Sequence, residues 1–230
     1  MKDTAATERI YRNQGNQPLL RLVDSPVRNV LDVGCGAGDN ARNIKSGHPG
    51  VVVHGLTRSA AEATVARANL DRVTVCDLEL GLPEEATRSR YDLVLFSHVL
   101  EHLTDPARLV AEAEKVLEPH GAILIAVPNV VGWRQRWEFV SGRFDYRESG
   151  VMDSTHLRFF TYHNVETLLS QSAALRVVAK AADGGIPLWL LRRHVLPETW
   201  AAAIDRWSVR NWPNLFGDQV LLKLKPGADR

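Results

Sequence analysis

One short apolar strand that runs directly into three alternating glycines constrains this chain more than any other feature. The segment reads Leu31-Asp32-Val33-Gly34-Cys35-Gly36-Ala37-Gly38, with Asp39 following. Glycine permits positive φ and leaves room for a ligand to approach the backbone. In an open α/β sheet that approach happens beyond the carboxyl ends of the strands. The spacing is Gly-x-Gly-x-Gly rather than the Gly-x-Gly-x-x-Gly that cradles a pyrophosphate. It fits a cofactor without a pyrophosphate and argues against an NAD-type oxidoreductase.

Further apolar runs follow at regular spacing: Val51 to Leu56, Val73 to Cys76, Leu93 to Phe96 and Ala122 to Val127. Helix-like segments such as Ser59 to Asn69 and Pro106 to Glu118 separate them. Continuous apolar runs suit parallel strands covered on both faces, and the alternation predicts βαβ units with right-handed crossovers. After Asn129 the pattern changes. Residues 130–160 bring Trp133, Trp137, Phe139, Phe144 and Tyr146 among arginines, and residues 187–213 bring Trp189, Trp200, Trp207 and Trp212. A helix over His163 to Ser172 and strands over Leu175 to Ala182 and Gln219 to Leu224 complete the pattern. The predicted fold is α/β: a Rossmann-like seven-stranded, mostly parallel sheet with helices on both faces. One domain spans 1–230, with a cofactor-binding core over about 25–129 and a small acceptor cap built from the two insertions.

Composition narrows the function. The formal net charge of +1 gives no electrostatic footprint for nucleic acid. Two cysteines, Cys35 and Cys76, suggest neither a disulfide framework nor a zinc site. The polar start, Met1 to Arg9, lacks an apolar signal core, and no apolar run reaches the length of a membrane span. A cytoplasmic protein without stable membrane insertion is expected, with a homodimer as the candidate assembly.

The segment Val30 to Gly38 resembles the first motif of the class I S-adenosylmethionine-dependent methyltransferases. The likeness continues in order through Tyr91-Asp92-Leu93-Val94, the "EHL" turn of His98-Val99-Leu100-Glu101-His102-Leu103, and Leu117 to Gly121 leading to Pro128-Asn129. It implies S-adenosylmethionine as cofactor. By resemblance, Gly34, Gly36 and Gly38 lie against its methionine part, Asp32 faces its amino-acid end, Asp77 lies near the adenine amino group, and Leu78 covers the ring. Ser97, closing the fourth strand, joins this cofactor set. One position departs from the family: the second strand ends in Thr57, where an acidic residue usually binds both ribose hydroxyls. A hydroxyl cannot accept two bonds as a carboxylate does. Glu62, one turn into the next helix, either supplies the missing acceptor or is an exposed helix residue.

The segment Asp153-Ser154-Thr155-His156-Leu157-Arg158-Phe159-Phe160-Thr161 is similar to an "aspartate-x-x-histidine-x-arginine-phenylalanine-phenylalanine-threonine" signature of bacterial methyltransferases acting on sugars and natural products. The resemblance implies transfer to an oxygen or nitrogen of a small-molecule or sugar-containing acceptor. His156 has the intrinsic pKa of a general base, with Asp153 to orient it. His98, His102 and Arg158 are candidate acceptor contacts. A purely structural role for His156 or His102 is the competing reading. The spacing of His98, Glu101, His102 and His156 matches no familiar ligand pattern, so no metal is expected. Alternatives are lipid carbon methylation or cyclopropanation, suggested by Gly55-Leu56-Thr57, and a non-catalytic cofactor-binding partner subunit.

Overall fold

The computed structural model describes residues 14–172, 174–187 and 197–227. Seven strands form one sheet in the order β3-β2-β1-β4-β5-β7-β6. They are β1 (Asn29–Val33), β2 (Val52–Thr57), β3 (Arg72–Val75), β4 (Tyr91–Ser97), β5 (Leu117–Pro128), β6 (Leu175–Gly184) and β7 (Gly217–Pro226). The first five run parallel, while β7 pairs antiparallel with both β5 and β6. The α/β expectation holds: the apolar runs are strands, the central ones buried on both faces, while edge strand β3 stays partly exposed. Within β1, Leu31 and Val33 enter one apolar layer with Leu109, Val110 and Leu168, and Val30 enters the other with Leu19, Ile44 and Leu124. No helix of the described residues is long and apolar enough to cross a membrane.

The helices begin where the local chemistry supplies caps. Helix α1 (Gln17–Leu20) starts at Asn16 and α2 (Asp39–Gly47) at Gly38. At α3 (Ala60–Ala66), the Ser59 hydroxyl accepts from the Glu62 amide. A one-turn helix, α4, spans Glu84–Thr87. Helix α5 (Pro106–Lys115) has Asp105 as its cap and proline in its first turn, where the missing N–H costs nothing. It stops short of the expected Glu118 because β5 already begins at Leu117.

The helix expected over His163 to Ser172 is only a 3-10 turn, Val165–Leu169. Two local polar links hold it short. Thr161 and Asn164 bond reciprocally at its start. At its end, the Ser172 hydroxyl donates to Glu114 and accepts from the Leu175 amide, turning the chain into β6.

The first insertion contains α6 (Trp133–Val140). The described part of the second contains α7 (Glu198–Asn211) and α8 (Pro213–Phe216); Trp189 lies outside the described residues. Trp137, Trp200, Trp207 and Trp212 are all largely exposed, so these tryptophans do not form the core of a cap. The tail of the first insertion bonds to the turn after β4. There the amides of Leu157 and Arg158 both donate to the Glu101 carbonyl.

The glycine turn is fixed from two sides. The Gly34 and Cys35 amides both donate to the Leu56 carbonyl, at 2.9 and 2.8 Å. Gly34, at φ +75°, lies so close to Val99 that a Cβ would sit 2.2 Å from its Cγ2. This glycine is therefore demanded by packing as well as by any ligand. Gly34→Ala is expected to destabilise the fold by about 2–4 kcal/mol in urea unfolding, combining backbone strain and overpacking. Adding Val99→Ala removes the clashing methyl, so the double-mutant cycle should show a favourable coupling above ~1 kcal/mol. Strict additivity would refute the contact.

Candidate active site

The cofactor residues expected from the sequence gather at the carboxyl ends of β1 to β4. Asp32 is fully buried, and neither carboxylate oxygen has a hydrogen-bond partner. Burial lifts its pKa to about 7, with the nearby Asn40 amide pulling part of the way back. An orphaned buried carboxylate is costly unless a partner arrives. Above it, Gly34, Gly36 and Gly38 all hold positive φ, at 75°, 50° and 83°. This is a cradle with a buried acid beneath it, and it fits the ammonium group at the amino-acid end of S-adenosylmethionine.

At the end of β2, the Thr57 hydroxyl donates to Glu62 Oε2 at 2.6 Å. Both residues are buried. Glu62 is thus not an exposed helix residue; its carboxylate is drawn back to the place the strand end leaves without an acid. Ser59 caps α3 and so fixes the turn that brings Glu62 there.

Beyond β3, Asp77 accepts from the Glu79 amide and starts a 3-10 turn, Leu78–Leu80, while its side chain stays exposed. Leu78 packs partly against the sheet's core. At the end of β4, the Ser97 hydroxyl accepts from Asn16 Nδ2 at 3.3 Å. Asn16 also donates to Gln219 of β7, at 2.8 Å. Asn16 and Gln219 escaped the sequence reading, since 203 residues separate them and no local pattern announces the pair.

Directly after β4 stands His98, the one non-glycine residue with positive φ among the described residues, at 57°. Its Nε2 lies 3.0 Å from Gln219 Oε1, and its Nδ1 is 3.4 Å from Glu101 Oε1. Burial works against protonation of this ring, but Glu101 and Gln219 outweigh it and raise its pKa. Glu101 occupies the 3-10 turn Leu100–His102 and is 1% exposed; no hydrogen bond reaches either of its oxygens.

The remaining assignments need correction. Asp153 does not orient His156. Its Oδ1 accepts from the Thr155 amide and hydroxyl at 2.9 and 2.7 Å, and that hydroxyl oxygen lies 3.0 Å from His102 Nδ1. Asp153 therefore steers His102. His156 is held instead through Nδ1 by the Val151 carbonyl, at 3.0 Å. Its side chain is 6% exposed, with Nε2 4.0 Å from Glu101 Oε1. Burial, against the pull of Glu101, keeps its pKa below the ordinary imidazole value. Arg158 does not project a free guanidinium toward an acceptor; Nε and Nη2 both donate to the Thr104 carbonyl. It ties this segment to the turn after β4. Although the linear spacing suggested no metal site, Glu101, His102 and His156 come together with ligand atoms within 4.8 Å of one another.

Comparison with known proteins agrees with this geometry. A family model described as a methyltransferase domain matches residues 6–180. A Mycolicibacterium smegmatis protein named "Probable S-adenosylmethionine-dependent methyltransferase" is 30% identical, over 75% of this chain and 67% of its own length. The ubiquinone biosynthesis O-methyltransferase of Photobacterium profundum is 32% identical, over 44% of each chain. This chain spans about half the length of several curated relatives it matches. A crystal structure of a methyltransferase from Archaeoglobus fulgidus shares the fold with a TM-score of 0.58, at 19% identity over 86% of both chains. The chain belongs to the methyltransferase domain family, within the class I S-adenosylmethionine-dependent methyltransferases.

Proposed function

We propose that this chain transfers the methyl group of S-adenosylmethionine to an oxygen or nitrogen of a small-molecule acceptor, with sugar-containing metabolites in the favoured class. The observation that carries the reading is the unpartnered carboxylate of Asp32 beneath the glycine cradle. When bound, the cofactor supplies an activated methyl group on a sulfonium. Everything else falls to the protein: binding, orientation and exclusion of water. Asp32 offers a charge partner for the cofactor's ammonium. Glu62, held by Thr57, offers the acceptor pair for its ribose.

The acceptor's heteroatom attacks the methyl carbon in line as the carbon–sulfur bond breaks, and the bond's electron pair stays on sulfur. The histidines around Glu101 stand where the acceptor would be bound and its proton lost. His156 belongs to that cluster rather than acting as a lone base held by Asp153. The Photobacterium relative's printed name supports oxygen as the acceptor atom.

The test is binding of S-adenosylhomocysteine by calorimetry, followed by turnover with candidate acceptors. Asp32→Asn should weaken binding by about 10–100-fold, the scale of a lost charge-assisted hydrogen bond. In the free protein Asp32 is protonated below about pH 7, and the ligand's ammonium group pairs only with the ionised form. Wild-type affinity should therefore rise with pH between about 5.5 and 8, while the Asp32→Asn profile loses that rise. Glu62→Ala should cost roughly 10-fold in affinity, with a smaller loss for Glu62→Gln. Equal affinities for wild type and both single-site changes would refute this placement of the cofactor.

A further inference from the structure

The histidines around Glu101 are oriented in a way that methyl transfer by positioning alone does not require. His156 Nδ1 sits 3.0 Å from the Val151 carbonyl. A carbonyl only accepts, so Nδ1 carries the proton and Nε2 carries the lone pair. The same holds for His102. Its Nδ1 faces the Thr155 carbonyl at 3.3 Å and the Thr155 hydroxyl oxygen at 3.0 Å. That hydroxyl gives its own proton to Asp153, so it accepts from His102, and the His102 lone pair is again on Nε2. The two rings meet edge to face with centroids 4.7 Å apart. Beside them lies the Glu101 carboxylate, 1% exposed, with His98 Nδ1 3.4 Å and His156 Nε2 4.0 Å from its Oε1.

One ligand atom from each of Glu101, His102 and His156 thus comes within 4.8 Å of the others, each ring fixed in its tautomer by a bond on Nδ1, while the buried carboxylate also faces His98 Nδ1 at 3.4 Å. Such outer bonds, from a histidine N–H to a backbone carbonyl or toward a carboxylate, are what orient metal-bound imidazoles. We infer that Glu101, His102 and His156 bind a divalent transition-metal cation.

Two nitrogen donors with one carboxylate select a borderline cation such as Zn²⁺, Co²⁺ or Fe²⁺ over Mg²⁺ or Ca²⁺, which prefer oxygen donors. The donors lie within 4.8 Å of one another, against roughly 3.3 Å around a tetrahedral zinc with bonds of about 2.0–2.1 Å. Binding therefore draws them together by about an ångström. Glu101 and His102 stand on the turn after β4, and His156 on the cap segment that bonds to that turn. The cation would clamp cap to core. Three protein ligands leave a position open for another oxygen; that an acceptor's hydroxyl or carboxylate fills it rests on the methyl-transfer reading, whereas cation binding itself does not.

The chelator-treated chain should be titrated with CoCl₂, reading visible d–d absorption, and with ZnCl₂ by calorimetry. The expected result is saturation at one equivalent. Glu101→Gln and His156→Ala should each weaken Co²⁺ binding at least ~100-fold, and Asp153→Asn, which loosens His102 through Thr155, roughly 10-fold. Retained S-adenosylhomocysteine binding certifies that each variant is folded; half-exposed His102→Ala serves if a buried change unfolds the chain. Absence of saturable binding in the wild type, or equal Co²⁺ affinity in wild type and folded variants, would overturn the inference. A chain that binds S-adenosylhomocysteine but no cation leaves the methyltransferase reading intact and removes only this one. A chain that binds the cation but not the nucleoside does the reverse.

Discussion

The turn after β1 is the constraint on which the rest of the site depends. It is pinned by two amides to a single carbonyl of β2 and pressed bare against Val99 beyond β4. A side chain at Gly34 would collide with Val99 beyond β4. The same turn closes over Asp32 and leaves its carboxylate dry. The protein thus keeps a charge-hungry group in place before any ligand arrives, an electrostatic preorganisation that would cost stability without a functional return.

The two ends of the crevice answer different chemical demands with the same device. At each end a buried carboxylate is left without a hydrogen bond: Asp32 under the glycines and Glu101 under the histidines. Thr57 and Glu62 show the contrasting case. There a hydroxyl is engaged by the carboxylate itself, so a strand end that lacks an acid acquires one from the following helix.

Much of the fold was legible because continuous apolar runs between glycine turns have few other solutions than buried parallel strands. Less was legible where side chains bond locally. The helix expected after His163 shrinks to a 3-10 turn because Thr161, Asn164 and Ser172 stop it at both ends. Glu62 was undecided from sequence because only the path of the turn shows that it folds back. The pairing of Asp153 with His156 followed their closeness in sequence, yet only their backbones bond, and the Asp153 side chain reaches His102 by way of Thr155 instead. The grouping of Glu101, His102 and His156 was hidden for a related reason: its members come from two segments more than fifty residues apart, with no periodicity linking them. Arg158 looked like an anion receptor, but a carbonyl in the turn after β4 had already claimed it.

The position of β7 between β5 and β6 has a consequence for biogenesis. A chain emerging from the ribosome makes β6 well before β7, so β6 has no neighbour to pair with until residues 217–226 appear. Gln219, which steadies both Asn16 and His98, arrives with that strand. A nascent chain therefore holds an unfinished sheet edge and an unassembled crevice until β7 has been made, an interval in which exposed strands invite mispairing.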